Sequence, residues 1–293
     1  MAIMASTAFD LTFANLTERA VQYNARASVA DFDAEMRLYA ALAADSKATC
    51  PAVLDLQYGM GQAERLDIFP VAAACQPAPL FVYIHGGYWR SQRKEEACSM
   101  ARALTHAGVA VAVLEYTLLP EATLAEVVRE VRSAIAWLYR NAGAYGIDCE
   151  RIHVGGSSAG GHLAAMLLGD AWQSRFNLPQ DVVKGILGLS GLYDIRPLCD
   201  IGVNDWLRLH DEQAALLSPA LELPSQAPQV VLCAGGLETT GFKHQTLHFH
   251  ALLEERGLPV RLVENTHNNH FNLVNELADP QSALFQATLE MIG

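Results

Sequence analysis

Short apolar runs alternate along this chain with longer stretches of helical period. Leu80–Ile84, Val109–Tyr116, Val182–Leu189 and Gln229–Ala234 are runs of the kind a strand buried on both faces produces. Arg151 to Gly155 and Pro259–Val263 are more mixed but sit at the same spacing and predict strands too. Upstream, Ala52–Tyr58 and Arg65–Phe69 read as two strands divided by the turn Gly59-Met60-Gly61 and closed by Pro70. The clearest helix follows Tyr116. Leu124, Val127, Val128, Val131, Ile135 and Leu138 fall on one face at the helical repeat, with Glu126, Arg129, Glu130 and Arg132 outside. Further helices are expected over residues 91–107 with Gly108 as the stop, over 161–168, over 241–256, and from Val274 to Met291.

Residues 1–50 are Ala-rich, carry the acidic run Asp31–Glu35, and predict one or two helices packed on the outside. Residues 195–226 lack a clean period and contain Pro197, Pro219 and Pro224, so a small cap or lid insertion is expected there. Strands alternating with helices imply an α/β fold with a mostly parallel central sheet flanked by helices, as one domain over residues 1–293. Active sites in such sheets form at the carboxyl ends of the strands.

Composition narrows the partners. Of 293 residues, 51% are apolar and 18% charged, and the formal charge of −12 argues against nucleic acid or an anionic membrane as partner. Cys50, Cys75, Cys98, Cys149, Cys199 and Cys233 are scattered with no C-x-x-C pair, so neither a zinc ribbon nor a redox dithiol is suggested. Asp10 interrupts a weakly apolar start that lacks a basic region, and no stretch is long enough to span a bilayer. A cytoplasmic location and a small-molecule substrate are expected, with no cofactor, and a homodimer is left open.

The chemistry centres on Gly156-Ser157-Ser158-Ala159-Gly160, a G-x-S-x-G sequence between an expected strand and an Ala-rich expected helix. That context is the one in which such a serine stands on a strained turn with its hydroxyl clear of the backbone. The register puts Ser158, and not Ser157, at the centre. The N–H of Ala159 would then face the oxygen of a reacting carbonyl, joined by those of Gly86 and Gly87 in His85-Gly86-Gly87 at the end of a central strand. His85 itself reads as structural. A serine needs a base, and the base in turn needs an acid, in the chain order Ser, Asp or Glu, His. Asn265–Phe271 contains His267 and His270; His270 is preferred as the residue nearer the closing helix. Glu238 is the first carboxylate past the strand before it, with Asp194 as competitor. His244, His248 and His250 lie close together, yet no H-E-x-x-H accompanies them and they read as a polar helix face without metal.

These residues together, His85-Gly-Gly-Tyr-Trp89, Gly156–Gly160, Glu238 and His270-Phe271, resemble the arylformamidase (kynurenine formamidase) branch of the α/β-hydrolases. Tyr23-Asn-Ala-Arg26, Tyr116 with Pro120, Ser190-Gly-Leu-Tyr-Asp194 and the Gly236, Glu238, Phe242, Gln245 pattern extend the likeness over most of the chain. Two positions depart from it: Ser157 stands where His is frequent, and the acid is Glu where Asp is common in animal members. The resemblance implies an α/β-hydrolase fold and hydrolysis of N-formyl-L-kynurenine to formate and L-kynurenine, with a carboxylesterase or related amidase as the alternative. Tyr88, Trp89 and Tyr193 are candidates to wall an aromatic pocket, and Arg196 or Arg208 to meet a substrate carboxylate.

Overall fold

The computed structural model describes residues 15–72 and 76–293; the chain start around Asp10 and Cys75 lie outside the described residues. Eight strands form one sheet: β1 Val53–Gln57, β2 Arg65–Phe69, β3 Ala78–Ile84, β4 Ala110–Leu114, β5 Ile147–Ser157, β6 Val183–Leu189, β7 Gln229–Cys233 and β8 Val260–Val263. Their order is β1-β2-β4-β3-β5-β6-β7-β8. The first two strands pair antiparallel to their neighbours, and all pairs from β4 through β8 are parallel. This is the α/β-hydrolase fold.

Alternation along the central strands feeds two cores, one on each face. Leu80, Val82 and Ile84 of β3 belong to one cluster with Ala112 and Leu114 of β4. Phe81 and Tyr83 belong to the other with Val111 and Val113. Helix Leu124–Asn141 covers the first face, and the period read from the sequence holds: Leu124, Val127, Val128, Val131, Ile135 and Leu138 are all buried. Its start is a capping box, with the Glu126 N–H donating to the Thr123 hydroxyl at 3.3 Å and the Thr123 N–H donating back to the Glu126 carboxylate at 2.7 Å. Glu130, expected outside, is buried instead. Its carboxylate accepts from the N–H and hydroxyl of Thr117 at 2.8 and 2.9 Å, which supplies the partners that burial requires.

Three other expectations are corrected. Residues 91–107 do not form one helix: a 3-10 turn at Lys94–Glu96 is followed by a short helix, Ala101–His106. Lys94 is drawn inward, where its ammonium meets Asp67 at 2.8 Å, Glu95 at 2.9 Å and Asp55 at 3.0 Å, and its N–H donates to Glu115. The closing helix is broken at Pro280, which lacks the N–H a helix interior needs, into a 3-10 segment Leu273–Ala278 and a helix Ala283–Ile292 capped by Ser282. The N-terminal helices, Leu16–Gln22 and Phe32–Thr49, are not simply external packing; they and their connection wall the cleft described below. Among the described residues, no helix is long and apolar enough to cross a membrane.

Candidate active site

Each parallel strand from β3 to β8, apart from β4, delivers a residue to the same end of the sheet. Gly86 and Gly87 follow β3, Ser158 follows β5, Ser190 follows β6, Glu238 follows β7 and His270 lies in the loop after β8. Ser158 has φ 57° and ψ −118°, the positive-φ backbone that a nucleophile elbow requires. Its N–H donates to the Leu189 carbonyl at 2.8 Å, and its carbonyl accepts from His162 at 3.0 Å, starting helix Ala159–Ala165. The glycines on either side are required by close approach. A Cβ on Gly156 would meet the Gly160 carbonyl oxygen at 2.3 Å, and one on Gly160 would meet the Ile84 carbonyl oxygen at 2.0 Å. The elbow therefore packs directly on the end of β3, and this contact brings the His85-Gly86-Gly87 loop beside the serine. A Cβ on Gly86 would stand 3.3 Å from that of Ser158.

The β3 loop is held from below. His85 is fully buried, its Nε2 lies 3.2 Å from the Glu115 carboxylate, and its ring stacks on Tyr116 at 4.3 Å. The Tyr116 hydroxyl reaches the carbonyls of His85 and Gly86, both at 3.1 Å. Gly87 adopts φ +90°, and a Cβ there would meet the Ser91 carbonyl oxygen at 2.2 Å.

Of the two histidines weighed, His270 is the one in contact with a buried carboxylate: its Nδ1 lies 2.8 Å from Glu238 Oε2. A carboxylate only accepts, so Nδ1 carries the proton and Nε2 presents its lone pair. Phe242 and Phe271 flank the imidazole, with ring centroids at 4.2 and 5.3 Å. His267 is exposed and pairs with Glu276 at 3.0 Å. Asp194 is engaged elsewhere, by a two-pronged contact from Arg196. The other Glu238 oxygen accepts from the Ser190 hydroxyl at 2.5 Å and from the Gly235 N–H at 2.6 Å. Ser158 and His270 line one cleft of about 930 Å³. Among the described residues their side chains form no direct hydrogen bond to each other, a contact that in unliganded hydrolases commonly tightens only with substrate present.

The cleft is mainly apolar and aromatic. Met36, Tyr39, Tyr83, Phe271 and Val274 form one part of its wall, Tyr23 and Phe32 another, and Ile201, Val203 and Trp206 from the segment after β6 a third. Burial pushes the phenols of Tyr39, Tyr83 and Tyr88 above their ordinary range, so they stay as neutral hydroxyls; that of Tyr83 interacts with both Tyr39 and Ser157. Tyr88 lines the cleft, its hydroxyl tied to the Tyr23 carbonyl at 2.6 Å. Trp89 and Tyr193 do not line it. Trp89 is fully buried edge-on to His162, and Tyr193 is stacked on Phe249 at 4.2 Å, so both support the walls from behind. Arg196 is committed to Asp194, and Arg208 is not among the lining residues.

Nothing in the sequence alone marks Ser190, and the N-terminal segment reads there as outside packing. Tyr23-Asn-Ala-Arg26 carried the available signal. Gln245 donates to the Tyr23 hydroxyl at 2.9 Å and accepts from the N–H groups of Tyr193 and Asp194 at 2.8 and 2.9 Å. One buried amide therefore locks the N-terminal segment to the loop after β6.

A family model described as BD-FAE matches residues 66–197. A kynurenine formamidase of Salmo salar is 32% identical over 247 residues, covering 82% of this chain and 82% of that protein. One of Danio rerio is 28% identical, again covering 82% of each. Among solved structures, a candidate thioesterase from Silicibacter sp. tm1040 superimposes with a TM-score of 0.78 at 28% identity, covering 91% of this chain and 97% of its own. Esterase B from Lactobacillus rhamnosis superimposes with a TM-score of 0.70 at 19% identity, covering 91% and 94%.

Proposed function

Because the chain belongs to the kynurenine formamidase family, we propose that it is a serine hydrolase that cleaves the formamide of N-formyl-L-kynurenine to formate and L-kynurenine. The observation that carries this is the strained Ser158 lining one cleft with an imidazole already bonded to Glu238. Ser158 is the nucleophile, His270 the base and Glu238 the acid that fixes the imidazole tautomer. As Ser158 Oγ attacks the formyl carbon, its proton passes to His270 Nε2. The negative charge that develops on the carbonyl oxygen meets the N–H groups of Ala159 and Gly87, with Gly86 beside them. Collapse of the tetrahedral species breaks the C–N bond, and His270 gives its proton to the departing aryl nitrogen. Water, deprotonated by the same imidazole, then attacks the formyl ester and releases formate with Ser158 restored. The aromatic wall of the cleft, Tyr88 included, suits the aniline ring.

The same groups are competent for small acyl and aryl esters, and the similarity to esterases supports that second reading. A substrate panel separates the two. N-formyl-L-kynurenine should be turned over with a kcat/KM well above that for nitrophenyl butyrate, and Ser158→Ala should lose on the order of 10⁴-fold or more on both. Efficient ester turnover with no formamide turnover would reject the formamidase and keep the esterase.

A further inference from the structure

The whole chain is acidic, yet the cleft is not. Among the described residues that line it, Glu96 is the one carboxylate, while two arginines, Arg26 and Arg90, stand at its exposed edge. Each guanidinium lies over an aromatic ring of the same cleft wall. Arg26 sits 4.4 Å from the centroid of Phe32, and Arg90 sits 4.3 Å from that of Trp206. Arg19, Arg102, Arg129, Arg196 and Arg261 each have a carboxylate partner. Among the described residues, no carboxylate forms an ion pair with Arg26 or Arg90. A guanidinium seated over an aromatic ring, with no carboxylate partner, retains N–H donors of the kind that grip a carboxylate in a two-pronged contact.

Both are tied to the reacting end. The Arg90 N–H donates to the Gly87 carbonyl at 3.1 Å, so the residue is fixed to the oxyanion loop. Its aromatic platform is fixed as well, since the Trp206 indole N–H donates to the Tyr88 carbonyl at 3.1 Å. Arg26 follows Tyr23, whose carbonyl receives the Tyr88 hydroxyl at 2.6 Å. Tyr88 thus links the two arginine platforms.

We infer that Arg26 and Arg90 recognise a carboxylate carried by the leaving amine, remote from the bond that breaks. The preferred substrates are then N-acyl anilines bearing an acidic side chain, and neutral anilides or esters are handled without this contact. The inference rests on the hydrolase reading above and sharpens its substrate class.

The test compares N-formyl-L-kynurenine with the same formyl anilide lacking the carboxylate, in wild type, Arg90→Met, Arg26→Met and the double variant. Methionine keeps an apolar contact with the ring while removing the fork and charge, and equal thermal midpoints would verify folding. Wild type should favour the carboxylated substrate at least tenfold in kcat/KM. The single variants should cut that ratio several-fold and the double variant should abolish it, through KM and with little change in kcat. Arg90→Lys should recover part of it. A wild-type ratio near one, or a ratio that survives the double variant, overturns the arginine site while leaving the hydrolase intact. If wild type turns over neither formyl anilide but does cleave esters, the formamidase reading fails and the inference goes with it.

Discussion

Both oxygens of Glu238 are occupied, one by the imidazole of His270 and the other by Ser190 and the Gly235 N–H. Ser190 is fully buried at φ 48°, with its N–H donating to the Cys233 carbonyl at 2.8 Å. A serine in that strained backbone region, bonded to the proposed acid, orients the carboxylate that in turn orients the His270 imidazole. A hydrogen bond to a charged group contributes roughly 1.5–3 kcal/mol. Ser190→Ala is therefore expected to lower kcat by about tenfold or more with KM nearly unchanged, across the pH–rate profile. Glu238→Gln, which disturbs the tautomer itself, should cost on the order of 10⁴ in kcat. A Ser190→Ala profile superimposable on wild type would show that the acid does not need this anchor. The candidates for nucleophile, acid and base were legible because Ser158 sits in a five-residue motif and each of the three follows an expected strand. Ser190 was not, since a serine after a strand has no special pattern until its neighbour across the sheet is known.

Among the elements, those built by local rules were readable and those overridden by distant partners were not. Helix Leu124–Asn141 announces itself through its apolar period and Thr123–Glu126 cap. The segment after Ser91 has comparable helix formers, but the pull of Asp67 and Glu115 on Lys94 comes from strands far along the chain. The elbow is the opposite case, since a motif of five residues dictates a contact with a different strand. Gly160→Ala tests this directly. The added methyl meets backbone oxygens of Ile84 and His85 at 2.0 and 2.7 Å, neither of which can swing aside. The expected result is a stability loss at or above the upper end of the ~1–3 kcal/mol typical of overpacking. Fluorophosphonate labelling of Ser158 should fall with it, measured beside a urea unfolding curve. An Ala variant of wild-type stability and labelling would mean that the elbow is not clamped to β3.

For the whole molecule, two buried histidines outside the proposed triad set a response to acid. Burial lowers the imidazoles of His153 and His162 to about 4 from an ordinary value of 6.5. His162 is kept neutral by that burial, against the opposing pull of the Leu217 carbonyl, which lies 2.7 Å from its Nε2. The unfolded chain binds these protons first, so the stability they confer is complete above pH 6.5 and declines as pH falls from there to about 4. The slope approaches roughly 1.4 kcal/mol per pH unit for each histidine across the window. Urea midpoints measured over that range should drop steadily, and His162→Gln should flatten part of the drop; a flat wild-type curve would refute the assignment. The first described residues and the helix after Glu238 also meet: the Thr239 hydroxyl and the Gly241 N–H both donate to Gln22, at 2.5 and 3.1 Å. One rim of the cleft is consequently a strap, tied down by these contacts, over the proposed triad. If a specific protease site inserted near Val29-Ala30 were cut in the folded enzyme, a small phosphonate should still tag Ser158, whereas bulky anilides should lose their footing as the clipped peptide drifts off.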